Sequence, residues 1–311
     1  MKEFKRIDHA TFGPGGNSEA FYNDGKKSTF QAPEWIKNIG LDAYEYEAGN
    51  GMTAGDATLK KIGDEAAKHG ILMSFHTPYF ISLSGVDPEK RLKSIDYISR
   101  SLHAAELLGA DTIVIHTGSA AKISRREAVE LAADTLEKNL EVNGNTSIRM
   151  GLETMGKINQ LGTLDEVIEL CKRYPTYHPV VDFGHLNARN LGGLFTDVDS
   201  YRYVFDKIGS ELGNEYVYNL HCHFSKIEYT SAGEKKHLTF ADTVYGPEFE
   251  PLAEAIVREG VAPRIICESA GTMSDDALAM KNMWLYAKKN IGGENYDKTC
   301  KISIENSRDR R

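Results

Sequence analysis

Nowhere in the 311 residues does an uninterrupted apolar run approach the roughly 18 residues that span a bilayer, so the sequence predicts no membrane-crossing helix. The longest runs, around Gly70 to Phe75 and Asp111 to Ile115, have the length of buried strands. The opening Met1-Lys2-Glu3-Phe4-Lys5 lacks the apolar core of a signal peptide, which predicts a cytoplasmic protein. None of Cys171, Cys222, Cys267 and Cys300 forms a C-x-x-C pair, which argues against a disulfide framework and for reduced thiols. Surplus positive charge is also missing. A net charge of -8 excludes a non-specific nucleic-acid coat, though not a nuclease whose metals and local Lys/Arg rim reverse the field at its site. No G-x-G-x-x-G follows an early strand and there is no Walker A sequence, which removes the two common nucleotide fingerprints. Gly13-Pro14-Gly15-Gly16-Asn17 is glycine-rich but wrongly spaced, and reads as a loop after the first strand.

What is present is a repeated unit: a short Ile/Val-rich run followed by a longer amphipathic stretch, the pattern of βα units around a parallel sheet. Strands are expected at Ile7–Phe12, Ala43–Tyr46, Ile71–His76, Thr112–His116, Arg149–Leu152, Pro179–Phe183, Val217–His223 and Arg264–Cys267. Helices are expected at Ala32–Asn38, Ala54–Lys68, Pro88–Leu108, Ser124–Asn143, Thr163–Arg173, Asp199–Leu212, Phe249–Glu259 and Ser274–Ala287. Ser124 with Glu127 three residues on resembles a capping box, and Gly70, Gly109 and Gly260 stand where helices end. Eight units without a linker favour an α/β fold, a single (β/α)8 TIM barrel over residues 1–293, over an open doubly wound sheet. Residues 294–311 read as a polar tail.

Ionisable residues fall at one strand end after another: His76, His116, Glu153, Asp182, His221 and Glu268. In a barrel these ends converge at one face. Carboxylates and imidazoles desolvated together there repel one another or lose solvation unless a cation compensates, which predicts a divalent-metal site. Asp182-Phe183-Gly184-His185 adds His185 at the rim, with Gly184 expected to let the chain turn. In His221-Cys222-His223 the two imidazoles share a face, with His221 the expected ligand and His223 a ligand or a donor to ligand or substrate. The following loop carries His237 among Lys226, Glu228, Glu234, Lys235 and Lys236, and strand alternation turns Cys222 and Cys267 away from the site. Tyr79 stands where it could pack on a sugar or base. Mixed imidazole and carboxylate donors suit Zn2+, and also Mn2+, Fe2+ or Co2+.

With these residues in place the chain resembles the endonuclease IV family of apurinic/apyrimidinic DNA nucleases, within the xylose isomerase-like barrels. The resemblance spans most of residues 5–290 and is carried by Ser74-Phe75-His76-Thr77-Pro78-Tyr79, Ile115-His116-Thr117-Gly118, Gly151-Leu152-Glu153-Thr154, Val181-Asp182-Phe183-Gly184-His185, Leu220-His221-Cys222-His223-Phe224-Ser225-Lys226, His237 and Ile266-Cys267-Glu268-Ser269. It implies two or three zinc ions, with Glu153, Glu268 and His185 also catalytic. His76, His116 and a bridging Glu153 would hold one ion, Glu153, Asp182, His221 and Glu268 a second, and His185 and His237 a third. The aspartate that the family places two residues before that last histidine is Lys235 here, and Glu234 is the nearest carboxylate. Tyr79 matches a minor-groove tyrosine, and Tyr46-Glu47-Ala48-Gly49-Asn50-Gly51 replaces a basic, glutamine-bearing DNA-contact loop. The expected activity is hydrolysis of DNA 5′ to an abasic site, without membrane or obligate protein partner. The alternative is a metal-dependent sugar isomerase or epimerase of the same superfamily, in which Glu153 and Glu268 move protons between adjacent carbons.

Overall fold

The computed structural model describes residues 7–308, with side chains described through Ile291. Ten strands occur among the described residues: β1 (Thr11–Pro14), β2 (Ala43–Glu47), β3 (Leu72–His76), β4 (Thr112–His116), β5 (Arg149–Glu153), β6 (Tyr177–Asp182), β7 (His221–Phe224), β8 (Ile227–Thr230), β9 (Gly233–His237) and β10 (Arg264–Cys267). Eight of them form one parallel sheet in the order β1, β10, β7, β6, β5, β4, β3, β2, while β8 and β9 make a separate antiparallel hairpin. The two ends of the sheet meet through a bridge between Gly15 and Glu45, which closes the barrel. Gly13 makes that closure sterically possible, because a Cβ there would lie 1.8 Å from the Ala43 carbonyl oxygen.

Alternation within each strand divides the barrel into two environments. Ile113, Ile115, Met150, Leu152, Val181, Cys222, Ile265 and Cys267 join the apolar core beneath the surrounding helices. The intervening positions face inward, and at the strand ends they become polar. Cys222 and Cys267 are thus turned from the site as expected, and burial pushes the Cys267 thiol up to about 12. Cys171, Cys222 and Cys267 are free thiols, and Cys300 lies outside the residues whose side chains are described. Gly70, Gly109 and Gly260 each close a helix in the left-handed conformation, at φ 67°, 65° and 63°. Ser124 Oγ accepts the Glu127 amide at 3.2 Å. Among the described residues no helix is long and apolar enough to cross a membrane.

Three boundaries differ from expectation by more than two residues. β1 begins at Thr11, not Ile7, because Ile7 is held by the side chain of Asn219, which accepts its N–H at 3.3 Å and donates to its carbonyl at 2.9 Å. Residues Glu215–Tyr218 form a helical turn, so β7 begins only at His221. The last helix runs Met273–Arg308, well past Ala287. The expected polar tail, 294–311, falls on residues outside those with described side chains.

The floor of the barrel is tied by a buried ion pair. The Arg264 guanidinium, 5% exposed, donates to Asp111 Oδ1 at 2.8 Å and Oδ2 at 2.7 Å, and to the Met73 carbonyl at 3.2 Å. Burial alone would raise the Asp111 carboxyl, but Arg264 outweighs it and holds the group well below the carboxylate range. A depressed folded-state value contributes stability above the unfolded pKa near about 3.9 and loses it as pH falls through the folded value. Asp111→Asn is therefore expected to cost about 2 kcal/mol at pH 7, at the low side for a buried pair because the carboxylate edge is partly solvated. In urea unfolding, the gap from wild type should shrink below about pH 4.

Candidate metal centre

The mouth of the barrel gathers side chains from six strands, two flanking segments and the hairpin. Glu153 ends β5 with no exposed surface, and its two oxygens face different partners. Oε2 lies 3.5 Å from His76 Nε2 and 3.2 Å from His116 Nε2. Oε1 lies 3.1 Å from His223 Nδ1 and 3.4 Å from His185 Nδ1. Donor atoms sharing one tetrahedral ion at about 2.0–2.1 Å would stand about 3.3 Å apart, so each oxygen of Glu153 has an imidazole nitrogen at ligand spacing. Glu268 follows β10 and reaches His223 Nδ1 at 3.2 Å, while Asp182 Oδ2 approaches His185 Nδ1 at 3.2 Å.

Asp182 serves two structures at once. It ends β6 and caps the helix Phe183–Arg189, its Oδ1 accepting the His185 amide at 2.8 Å. Its Oδ2 is buried without a hydrogen-bond partner, as is Glu153 Oε2. Gly184 is accordingly not the turn that the sequence predicted. It lies inside the helix, where a Cβ would stand 2.5 Å from the Ser225 carbonyl oxygen and push the helix off β7.

Neighbouring polar groups aim the imidazoles. His76 Nδ1 meets the Thr77 carbonyl at 3.0 Å, leaving Nε2 for Glu153. His185 Nδ1 meets the Thr154 carbonyl at 3.0 Å and His237 Nδ1 meets Ser225 Oγ at 2.8 Å, so both can present Nε2 to Glu234. Glu234 oxygens lie 3.5 Å from His185 Nε2 and 3.9 Å from His237 Nε2. Glu234 takes this place because of a β-bulge: Glu228 pairs with Lys236 and Tyr229 with Glu234, so Lys235 is the extra residue. The bulge puts Glu234 and His237 on one face although they are three residues apart, and Lys235 swings out to Glu228 at 2.6 Å. Gly156 leaves room, since a Cβ there would lie 2.7 Å from Glu234 Oε2. Glu234→Gln is expected to remove one ion from the metal stoichiometry and to lower turnover about tenfold to a hundredfold, measured by chelator titration and initial rates.

The charges fit a cation. Burial pushes the Glu268 carboxyl up to about 8, with Asp182 and Glu153 adding to it and His223 opposing. Burial works against protonation of His76, yet Glu47 and Glu153 raise it to about 10. Buried carboxylates thus draw protons onto nearby imidazoles where divalent charge would otherwise balance them. Among the described residues several groups of His and carboxylate side chains lie close enough to hold an ion, including Glu45, His221 and His223; His76, His116 and Glu153; His76, His223 and Glu268; His185, Glu234 and His237; and Glu153, Asp182, His185 and Glu268.

Strand seven brings both of its imidazoles to the centre, at different depths. His221 starts β7 one layer deeper and turns to Glu45 Oε2 at 2.9 Å, whereas His223, two residues nearer the mouth, meets Glu153 and Glu268. With no exposed surface, His223 is also not the substrate contact that the sequence allowed. Tyr79 does stand at the mouth, 57% exposed and stacked over His116 with ring centroids 5.2 Å apart. Gly49 admits it, since a Cβ there would lie 2.4 Å from its ring. Glu45 and Glu47 were missed, although Ala43-Tyr44-Glu45-Tyr46-Glu47 places both carboxylates on one strand face. Glu47 ends β2 beside His76, with Oε1 buried and unbonded.

Comparison with known proteins follows this geometry. The family described as xylose isomerase-like TIM barrel matches residues 33–287. An uncharacterised protein of Methanocaldococcus jannaschii is 28% identical over 256 residues, covering 81% of this chain and 90% of that protein. The "Probable endonuclease 4" of Acholeplasma laidlawii is 29% identical over 166 residues, 52% of this chain and 55% of that protein. Among solved structures, a D-tagatose 3-epimerase-like protein superposes with a TM-score of 0.67 at 17% identity, over 91% of this chain and 99% of the other. Endonuclease IV from Thermus thermophilus gives 0.64 at 20% identity, over 84% and 96%. At these identities the two structures speak for the fold alone.

Proposed function

The chain belongs to the xylose isomerase-like TIM barrel family, and from that membership we propose that it is a phosphodiesterase using two or three metal ions, zinc first, which cuts DNA 5′ to an abasic site. One observation carries this reading: the two oxygens of Glu153 face separate sets of imidazoles, His76 and His116 on one side and His223 and His185 on the other. A one-metal sugar isomerase has work for a Glu, Asp, His, Glu group and for His185 as a substrate contact, but none for Glu234 and His237 gathered beside it. The "Probable endonuclease 4" relatives support the same direction over about half of their length.

Divalent ions held by these residues would supply Lewis acidity to phosphate oxygens and lower the pKa of bound water. The protein side chains orient and confine that chemistry. Glu153, in contact with four imidazoles, would be the ligand that the ion sites have in common. Glu268, with its raised carboxyl, accepts or returns a proton at the mouth. His185 links Asp182 to Glu234. Tyr79 packs its exposed ring against the sugar or a neighbouring base.

A specific observation favours the second reading, a sugar epimerase. The lysines of the hairpin region are engaged away from the mouth, Lys226 with Glu248 and Lys235 and Lys236 with Glu228, while Glu47 adds a carboxylate at it. One experiment separates the two. Metal-loaded protein is incubated with a duplex carrying a single tetrahydrofuran abasic site, and in parallel with ketohexoses, each with and without chelator. Chelator-sensitive incision is expected; ketohexose epimerisation without incision would establish the second reading.

A further inference from the structure

The helix Phe183–Arg189 begins inside the metal centre, with Asp182 as its cap and His185 in its first turn, and it ends on Arg189. His185 and Arg189 are four residues apart and so share a helix face. That face collects main-chain carbonyls from the segment after β5, one after another. His185 Nδ1 meets the Thr154 carbonyl at 3.0 Å. Arg189 Nη1 donates to the carbonyls of Met155 at 3.1 Å and Lys157 at 2.7 Å, and its Nη2 donates to those of Ile158 at 2.9 Å and Gln160 at 3.0 Å. Arg125 donates to the last two of these at 3.0 and 3.1 Å, and is itself held by Glu166 at 2.7 Å. Groups of the segment that Arg189 does not take pair with the hairpin of β8 and β9. The Gly156 carbonyl accepts the Glu234 amide at 3.1 Å, and the Ile158 amide donates to the Ala232 carbonyl at 3.0 Å. This approach needs glycine on both sides: a Cβ at Gly233 would lie 2.4 Å from the Gly156 carbonyl oxygen, and one at Gly156 would lie 2.7 Å from the Glu234 Cβ.

We propose that Arg189 is a positioning residue for Glu234: by gathering four carbonyls of residues 155–160 it fixes the segment against which the hairpin forms, and so holds Glu234 where it can share an ion with His185 and His237. The segment lies between β5 and the helix Leu164–Arg173 and has no strand or helix of its own to satisfy its carbonyls. A guanidinium suits the task because it is a flat fork with two N–H groups on each Nη, enough for two carbonyls apiece. A lysine ammonium offers three N–H groups from one point and cannot spread over four. The same short helix thus carries a ligand of the group, His185, at one end and the support of its other carboxylate ligand, Glu234, at the other. A shift in the segment moves the main-chain partner of Glu234 and with it the side chain, and ligand geometry tolerates little of that. The inference rests on the reading of His185, Glu234 and His237 as an ion-holding group, and not on which substrate is turned over.

The test uses the full chain and Zn2+ itself. Chelator competition should show Arg189→Met losing about tenfold to a hundredfold in affinity for one ion, the others holding within about threefold. Made in a Glu234→Gln background, the same change should leave the remaining ions where they were, because the ligand that Arg189 positions is already gone. Arg189→Lys, which keeps the charge without the fork, should show the same selective loss. Hydrogen exchange of the metal-free protein gives a second readout: the Glu234 and Ile158 amides should be protected in wild type and exchange about tenfold faster in Arg189→Met. Unchanged affinities, a uniform loss across all ions, full affinity in Arg189→Lys, or wild-type amides left unprotected until Zn2+ is added would each overturn the role of Arg189 while leaving the centre intact. Failure of the wild-type protein to take up Zn2+ would overturn both this inference and the proposed function.

Discussion

Glu153→Gln is expected to lower metal-dependent turnover by about a thousandfold or more, equivalent to roughly 4 kcal/mol of transition-state stabilisation. The change is nearly isosteric, so the effect isolates charge. The amide keeps one acceptor oxygen but presents an N–H₂ to one of the two imidazole sets that the carboxylate now faces through Oε2 and Oε1. Burial disfavours the ionised carboxyl, yet contacts from His116, His185, His223 and His76 hold it well below the ordinary range, so it is a carboxylate in the folded protein. Folding should survive, because removing a charge with no exposed surface also removes its desolvation cost. Initial rates, metal content and thermal unfolding check the three parts. Nearly unchanged turnover in a metal-loaded variant would remove Glu153 as the bridge.

His223→Asn and His221→Asn should separate sharply, although the residues are two apart on one strand. Loss of His223 takes a donor from the group formed with Glu153 and Glu268, and an expected drop in turnover of at least about a hundredfold accompanies loss of one bound ion. Loss of His221 removes only an anchor of Glu45, so metal stoichiometry should stay whole and turnover fall about tenfold or less. Metal analysis of both purified variants decides it. Equal loss of metal from both would make His221 a ligand after all.

Much of the barrel was legible because its signals are local. Apolar runs of strand length, Gly70, Gly109 and Gly260 at helix ends, and a Ser124 cap depend on neighbours within a turn or two, and the structure places them accordingly. Strand alternation also turned Cys222 and Cys267 correctly into the core. Depth and register were not legible. Period-two alternation says that His221 and His223 share a face, but which of them reaches Glu153 depends on where β7 begins, and a helical turn at Glu215–Tyr218 delays that start. Glu45 and Glu47 carry a readable alternation, yet nothing local to β2 reveals that its partners come from β7 and β3.

The sequence by itself determined the βα repeat, the barrel and a set of imidazoles and carboxylates at strand ends, because hydrophobic periodicity and capping act between residues close in the chain. Only the tertiary structure decided how those groups are shared: Glu153 divided between two sets, His223 and not His221 in contact with it, and Glu234 brought onto the face of His237 by the bulge at Lys235. Coordination is a matter of fractions of an ångström between atoms far apart in sequence, and strand start, depth and bulge fix those distances only when the barrel closes.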